Sequence, residues 1–206
     1  MTKKERAKIV MTELEKIYPE VPIPLNHKNA YELLVAVALS AQTTDKKVNE
    51  VTPKLFSVAP NPQKMAALEE PEIKELIKEI GLSTTKAKNL KLMANQLLER
   101  HNGEVPATFE DLENLAGVGH KTASVVMSQA FGFPAFPVDT HIHRLMKQWK
   151  LTEGKNVVQT ENDAKKLFPK ETWNKLHLQI IFYGREYSPA RGNQGRDYIT
   201  KMLFEG

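Results

Sequence analysis

The chain has 206 residues, of which 41% are hydrophobic and 26% are charged, a composition typical of a globular protein rather than a disordered one. It contains no cysteine, which excludes disulfides, thiolate catalysis and cysteine-ligated metal. The net charge of +4 favours a polyanionic partner such as nucleic acid.

Helical patterns begin at the N-terminus. Apolar residues at Ile9, Met11 and Leu14 predict an amphipathic helix over residues 3–18. After a proline-rich break, Asn29 is placed to cap an almost wholly apolar helix that runs to residue 42. Its longest apolar run is far shorter than the about 20 residues that span a bilayer, and the charged N-terminus has no secretory signal. We therefore expect no membrane segment and a cytoplasmic protein.

The helical pattern continues along the rest of the chain. A helix capped by Thr44 or Asp45 is predicted to run to residue 56. Two helices follow at 63–69 and 71–80, and Gly81 is expected to end the second of them. A long basic helix capped by Ser83 comes next. Later helices are predicted to start at Thr108, after the glycine turn, at Asp139, at Thr160 and at residue 170, with one short helix at the end. No stretch alternates as a strand does, so the fold is predicted to be all-α, with about ten helices in two lobes.

The stretch "LAGVGHKTA", residues 115–123, joins two of these helices through a glycine turn. Gly117 and Gly119 can both adopt positive φ without a Cβ penalty. Such a turn directs backbone N–H groups at a helix N-terminus, where they bind a phosphate oxygen. A plain packing turn between two helices gives the same pattern, so both interpretations stay open.

Lys121 follows this turn, and Asp139 follows the proline-containing boundary at residues 131–141. A lysine is most often a solvated cation, but a neutral amine is also a nucleophile that forms a Schiff base with a sugar aldehyde. Asp139 is placed to cap its helix, and a capping aspartate can also be a catalytic carboxylate.

The chain contains five motifs in this order: "LSAQTTD" (39–45), "GLSTTKA" (81–87), "HNGEVP" (101–106), "LAGVGHKTASVV" (115–126) and "VDTHIHRL" (138–145). Together they resemble the motifs of endonuclease III, a family of the helix–hairpin–helix DNA glycosylases. The resemblance covers residues 3–204 and implies the two-lobed helix–hairpin–helix glycosylase fold with an active site in the interdomain cleft. It also implies a helical-barrel domain at 23–133 and a second helical domain formed by 1–22 and 134–206.

The resemblance assigns roles residue by residue. Lys121 matches the nucleophile and Asp139 the catalytic aspartate. Gln42 matches a glutamine that fills the gap left by a flipped nucleotide, and Leu82 matches a wedge against the opposite strand, although a core leucine and a loop glutamine are the simpler alternatives. Hairpin contacts to DNA are expected at Gly117, Val118, Gly119, His120 and Thr122. His141 is expected to give structural support, and Ala116 replaces a proline that is common in the family.

The tail departs from the family. Most endonuclease III proteins ligate a [4Fe–4S] cluster through C-x6-C-x2-C-x5-C, and here the four positions fall on Ser188, Gly195, Tyr198 and Phe204. These residues cannot hold the cluster, so no metal and no cofactor is expected. Tyr198 and Phe204, aided by Ile199 and Leu203, are expected to fill the space by apolar packing. Arg191 and Arg196 remain as candidate phosphate contacts, or as ordinary solvated arginines.

These observations predict a bifunctional DNA glycosylase and abasic-site lyase of base excision repair. It would remove oxidised pyrimidines of the thymine glycol type from damaged double-stranded DNA, as a monomer at the bacterial nucleoid. One alternative is a helix–hairpin–helix glycosylase for oxidised purines or mismatched bases. Another is a non-catalytic DNA-binding helix–hairpin–helix module.

Overall fold

The computed structural model describes residues 1–192 and 196–205. This part of the chain contains twelve α-helices and no β-strand, so the all-α prediction is confirmed. The helices are α1 (Lys3–Ile17), α2 (Ala30–Leu39), α3 (Asp45–Val58), α4 (Pro62–Ala67), α5 (Glu70–Leu76), α6 (Ser83–His101), α7 (Phe109–Glu113), α8 (His120–Phe131), α9 (Thr140–Gln148), α10 (Val157–Leu167), α11 (Trp173–Glu186) and α12 (Tyr198–Phe204).

The chain divides into two compact units, residues 23–132 and residues 1–22 with 133–206. The first unit contains α2 to α8, and its core is built around the apolar helix α2, with α6 and α8 packed against it. The second unit contains α1 and α9 to α12, and its core lies where α11 packs against α1 and α9. Within the described ranges, no helix is long and apolar enough to cross a lipid bilayer.

Side-chain caps explain why several helices begin where they do. The side chains of Asn29, Thr44, Thr108 and Asp139 each accept a hydrogen bond from the backbone N–H three residues later, which satisfies one of the unpaired donors of the first turn. These four starts agree with the sequence prediction. Such caps are local, because the capping residue and its partner are close in sequence.

Other helix boundaries were predicted wrongly. Helix α2 ends at Leu39, so Gln42 lies in the following loop. Helix α5 ends at Leu76 and not at Gly81. Ser83 is the first residue of α6 rather than its cap. Thr160 lies inside α10, because Asn156 caps this helix by accepting from the Gln159 N–H. The buried Thr160 hydroxyl contacts His143 and the backbone.

Candidate active site

The glycine hairpin lies between α7 and α8 and packs against α6. The Ala116 N–H donates to Gln96 Oε1 at 2.7 Å. Gly117 has a φ of +74°, and a Cβ there would come within 3.1 Å of the Asn89 Cβ, so the position needs glycine for both its conformation and its space. Gly119 has a φ of −93°, which any residue adopts, so the left-handed conformation considered for both glycines occurs only at Gly117.

Lys121 is the second residue of α8 and is exposed to solvent. Gly119, at the N-cap, has no side chain with which to cap the first turn, where the helix carries partial positive charge. The first residue, His120, has Nδ1 at 2.8 Å from Glu113 Oε1, and its ring stacks on Phe109. This end of α8 therefore combines a lysine amine with a surface suited to an anion.

Gln42 and Leu82 occupy two neighbouring loops of the same unit. Both have left-handed φ angles, +57° and +59°, which are uncommon for residues other than glycine and cluster at functional sites. A Cβ at Gly81 would lie 3.8 Å from the carbonyl oxygen of Gln42, which shows how close the loops are. Leu82 is 57% exposed, which contradicts the alternative that it is a core leucine. The structure thus brings these two predicted DNA contacts together.

Asp139 belongs to the second unit and is the N-cap of α9. Its Oδ1 accepts from the Ile142 N–H at 2.8 Å, which fixes the orientation of the carboxylate. Within residues 1–192 and 196–205, no hydrogen bond to Oδ2 is present, so the second oxygen remains able to accept one. The preceding segment is anchored by the buried Phe136 and Val138. The carboxylate is therefore held on a rigid support and is only partly buried.

Three groups near Asp139 were not singled out from the sequence. Gly184 of α11 faces α9 so closely that a Cβ there would lie 3.0 Å from His141 Nδ1. Arg144 Nη2 lies 3.2 Å from the same His141 nitrogen and also donates to the carbonyl of Ser188. These contacts agree with a supporting role for His141, and only the tertiary contact marks Gly184.

His177 of α11 is the third of these groups and is almost completely buried. Its Nδ1 donates to the carbonyl of Trp173 at 2.9 Å, whereas Nε2 has no partner within the described residues. Burial lowers the pKa of His177 to about 4, against smaller opposing effects of that carbonyl and of the Asp139 charge. The ring is therefore neutral near pH 7.

Comparison with known proteins identifies the family. Residues 35–170 match the family described as HhH-GPD superfamily base excision DNA repair protein. Endonuclease III of Haemophilus influenzae is 44% identical over 205 residues, which is 100% of this chain and 97% of that protein, and the Escherichia coli K12 enzyme gives the same values. The chain belongs to the endonuclease III family.

Solved structures show the same fold as this chain. A structure described as a trapped endonuclease III–DNA covalent intermediate in an estranged-adenine complex superposes with a TM-score of 0.94 at 38% identity, over 98% of this chain and 96% of that one. A thermostable thymine-DNA glycosylase superposes with a TM-score of 0.82 at 23% identity, over 98% and 94% of the two chains, and shows the same fold. Like its endonuclease III relatives, the chain is an enzyme of base excision DNA repair.

The residues at the family's cluster positions do not fit an iron–sulfur cluster. Gly195 lies outside the described residues, and none of Ser188, Tyr198 and Phe204 supplies a thiolate. The Tyr198 ring packs edge-on against Tyr183 and Tyr187, with ring centroids 6.0 and 5.8 Å apart. Within the described part of the chain, no group of three or more His, Asp or Glu side chains is placed to hold a metal ion.

The tail shows the expected apolar packing only in part. Ile199 and Leu203 are buried as expected, but Phe204 is 40% exposed, with Lys150 Nζ 4.7 Å from its ring centroid. Phe204 therefore does not fill the space left by a cluster, because its ring lies at the surface under a cation.

A buried carboxylate, Asp197, is instead the centre of this region. It accepts hydrogen bonds from Tyr183 Oη, Gln148 Nε2 and the backbone and hydroxyl of Thr200. The two candidate phosphate contacts, Arg191 and Arg196, are both exposed, and Arg196 directly precedes this anchored aspartate.

Proposed function

We propose that the chain is a bifunctional DNA glycosylase and abasic-site lyase that removes oxidised pyrimidines, such as thymine glycol, from duplex DNA. The observation that carries the proposal is Lys121, an exposed amine in the first turn of α8 behind the glycine hairpin, in a chain of the endonuclease III family. One structural relative is described as a trapped covalent intermediate with DNA, and a lysine amine is a nucleophile able to form such a covalent bond.

The choice of a pyrimidine substrate has its own support. The description of that same relative names an estranged adenine, and thymine is the base that pairs with adenine in undamaged duplex DNA, which favours a thymine-derived lesion. Gln42 and Leu82 lie in adjacent exposed loops, where Gln42 is suited to fill the gap that a flipped nucleotide leaves and Leu82 to wedge between bases of the opposite strand. Gln42 would hydrogen-bond the orphaned base, and Leu82 would replace part of the lost stacking.

The proposed reaction begins with Lys121 and Asp139 acting on the same nucleotide. Asp139 assists removal of a proton from the Lys121 ammonium and stabilises positive charge developing on the sugar. The neutral Lys121 Nζ then attacks C1′, the bond from C1′ to the damaged base breaks, and the base departs with the bonding electron pair. Opening of the sugar ring gives a Schiff base, whose cationic nitrogen acidifies the 2′ proton. Loss of that proton expels the 3′ phosphate by β-elimination.

Binding to DNA is assigned to groups on both units. The hairpin at Gly117, Gly119, His120 and Thr122 would hold a phosphate, and Val118, whose side chain is buried, would contribute through its backbone. Arg191 and Arg196 would add phosphate contacts from the tail, in place of a loop held by a cluster. We propose that the enzyme acts as a monomer, in the cytoplasm at the bacterial nucleoid.

Borohydride trapping on thymine glycol duplexes tests the proposal. The wild-type chain should form a covalent adduct, Lys121→Ala should form none, and Lys88→Ala, which changes an exposed lysine of α6, should behave as wild type. Absence of an adduct with any lesion would favour the non-catalytic DNA-binding module.

Asp139→Asn separates chemistry from helix capping, because asparagine is as good an N-cap as aspartate but lacks the charge. We expect normal folding and a rate loss of about 100-fold or more, typical of removing one stabilising group from an active site. A panel with dihydrouracil, 8-oxoguanine and mismatched uracil tests the substrate. Preference for 8-oxoguanine or for mismatches would favour the alternative glycosylase.

A further inference from the structure

Lys86 is a buried lysine that the proposed chemistry does not use. It lies in the first turn of α6, and only 7% of its surface is exposed. Its Nζ donates to the carbonyls of Leu39 at 2.9 Å and Ala41 at 2.6 Å, and lies 3.3 Å from Thr43 Oγ1. Three acceptors match the three protons of an ammonium group, and all three are uncharged oxygens. The lysine is thus buried for these hydrogen bonds and not for an ion pair.

The three acceptors surround Gln42 in the sequence. Ala41 and Thr43 are its immediate neighbours, and Leu39 is the last residue of α2, whose C-terminal carbonyls carry partial negative charge. Gln42 itself has a left-handed backbone, a conformation that costs on the order of 1 kcal/mol or more and persists only when its surroundings enforce it. Lys86 provides that enforcement on both sides of the residue.

The same lysine is joined to the second loop through its backbone. The Lys86 N–H donates to the carbonyl of Leu82 at 2.9 Å, which closes the first turn of α6 directly behind the left-handed Leu82. Two strained residues from two separate loops therefore meet at one lysine, which binds one loop with its side chain and the other with its backbone.

Helix α6 also supports the glycine hairpin from residues along its length. Asn89 packs against Gly117, and Gln96 accepts from the Ala116 N–H. Lys86 and Gly117 line the same small cavity, of about 30 Å³, so the hairpin lies beside the lysine. The three segments expected to touch DNA within this unit thus share one helix as their base.

We propose that Lys86 is a positioning residue for nucleotide flipping. Its ammonium group holds the Gln42 loop, next to Leu82, in the conformation that enters the DNA, and Lys86 itself does not touch DNA. The inference rests on the proposed function, since it assumes that Gln42 fills the gap left by the flipped nucleotide and that Leu82 acts as a wedge against the opposite strand. Burial lowers the pKa of Lys86, as expected for an amine removed from water, and the three oxygens around it stabilise the ammonium form.

The test compares a substrate whose reaction requires the Gln42 and Leu82 loops with one whose reaction does not. An abasic site in a duplex leaves an orphaned base and a gap in the stack, whereas the same site in a single strand leaves neither. Lys86→Met removes the ammonium and keeps the length of the side chain. We expect the single-turnover rate of borohydride trapping to fall about tenfold on the duplex, equal to ~1.4 kcal/mol, and to stay unchanged on the single strand. Lys88→Met on the exposed side of α6 is the control and should change neither rate.

A double-mutant cycle separates positioning from a general loss of stability. If Lys86 acts through Gln42, the duplex losses of Lys86→Met and Gln42→Ala should not multiply in the double variant. Multiplied losses, equal losses on both substrates, or an unchanged duplex rate would each overturn the inference. Should Lys86→Met fail to fold, Thr43→Val removes one acceptor at constant volume. It is expected to slow the duplex reaction about twofold, and no duplex-specific loss would count against the inference.

The two levels of proposal fail in different ways. If the wild-type chain forms no adduct with either substrate, the proposed function is wrong. If the wild type forms adducts and Lys86→Met reacts with the duplex at the wild-type rate, only the role of Lys86 is wrong.

Discussion

Substitution of Asp197 by asparagine tests whether a hydrogen-bond network holds the tail. In the folded chain Oδ1 accepts from Tyr183 Oη at 2.7 Å and from the Thr200 N–H at 3.1 Å. Oδ2 accepts from Gln148 Nε2 at 2.5 Å and from Thr200 Oγ1 at 2.8 Å. Burial, and then the bond to Asp197, raise the pKa of the Tyr183 hydroxyl, so it remains a donor. The carboxylate therefore receives four donors and must accept from all of them.

An asparagine of the same shape can accept on only one of its two branches. If its oxygen faces Tyr183, its amide N–H₂ faces the Gln148 amide and the Thr200 hydroxyl. Thr200 Oγ1 already accepts from Gln148 Nε2 and Trp149 Nε1, so it cannot also accept from the new amide, and two hydrogen bonds to a charged acceptor are lost. At about 1.5 kcal/mol each, the loss is about 3 kcal/mol. If the Gln148 amide turns over so that its oxygen accepts from the new asparagine amide, Gln148 no longer donates to Thr200 Oγ1. The total number of hydrogen bonds in the network therefore still falls.

The assay is urea unfolding followed by far-ultraviolet circular dichroism, with thermal melting alongside. A loss of about 3 kcal/mol should lower Tm by roughly 6–12 °C in a chain of this size. The matched control is Asp163→Asn. Among the described residues its carboxylate accepts only from Thr152 Oγ1, a hydroxyl able to turn and accept from the new amide. That variant should lose less than about 1 kcal/mol. An equally small loss for Asp197→Asn would refute the reasoning.

Two further predictions concern α11. Gly184→Ala places a Cβ 3.0 Å from His141 Nδ1 and 3.2 Å from a Leu145 methyl. We expect a loss of about 1–3 kcal/mol in urea unfolding and a lower kcat/KM, since the first turn of α9 carries Asp139. Gly81→Ala, with its nearest atoms at 3.8 Å, should keep wild-type stability, and equal losses in the two variants would contradict the packing argument. For His177, the folded pKa of about 4 lies below the ordinary value of 6.5, so the unfolded chain takes up its proton first and stability falls as pH falls from 6.5 towards 4. Between pH 7 and pH 5 the free energy of unfolding of the wild type should fall by about 2 kcal/mol through this group. His177→Gln, which is neutral throughout, should not show this fall. If the stabilities of the two proteins change in parallel with pH, His177 does not titrate in this way.

The relation between sequence and structure differs between local and distant features. The all-α fold and the caps at Asn29, Thr44, Thr108 and Asp139 were predictable, because a cap depends on residues three positions apart. Helix ends were predicted less well. The run from Ala30 to Gln42 is helical in pattern, but α2 ends at Leu39, and the carbonyl of that residue is bound by Lys86, 47 residues further on.

The candidate site shows the same division. Lys121 and the hairpin could be selected as candidates because they lie within a set of family motifs that occur in a fixed order, whereas a glycine turn and a lysine alone indicate only a turn and a charge. Leu82 could not be distinguished from a core leucine, because its exposure and its left-handed backbone depend on how α6 packs. Gly184 and His177 carry no signal in their own neighbourhood, since each matters through the helix that faces it.

The sequence by itself determined the family, the candidate nucleophile and the loss of the cluster ligands, because each depends on which residue types are present and in what order. The tertiary structure alone decided what stands in place of the cluster. A buried carboxylate stabilises a fold only when its donors arrive from several helices, and Tyr183 of α11, Gln148 of α9 and Thr200 of α12 meet Asp197 only once the chain has folded.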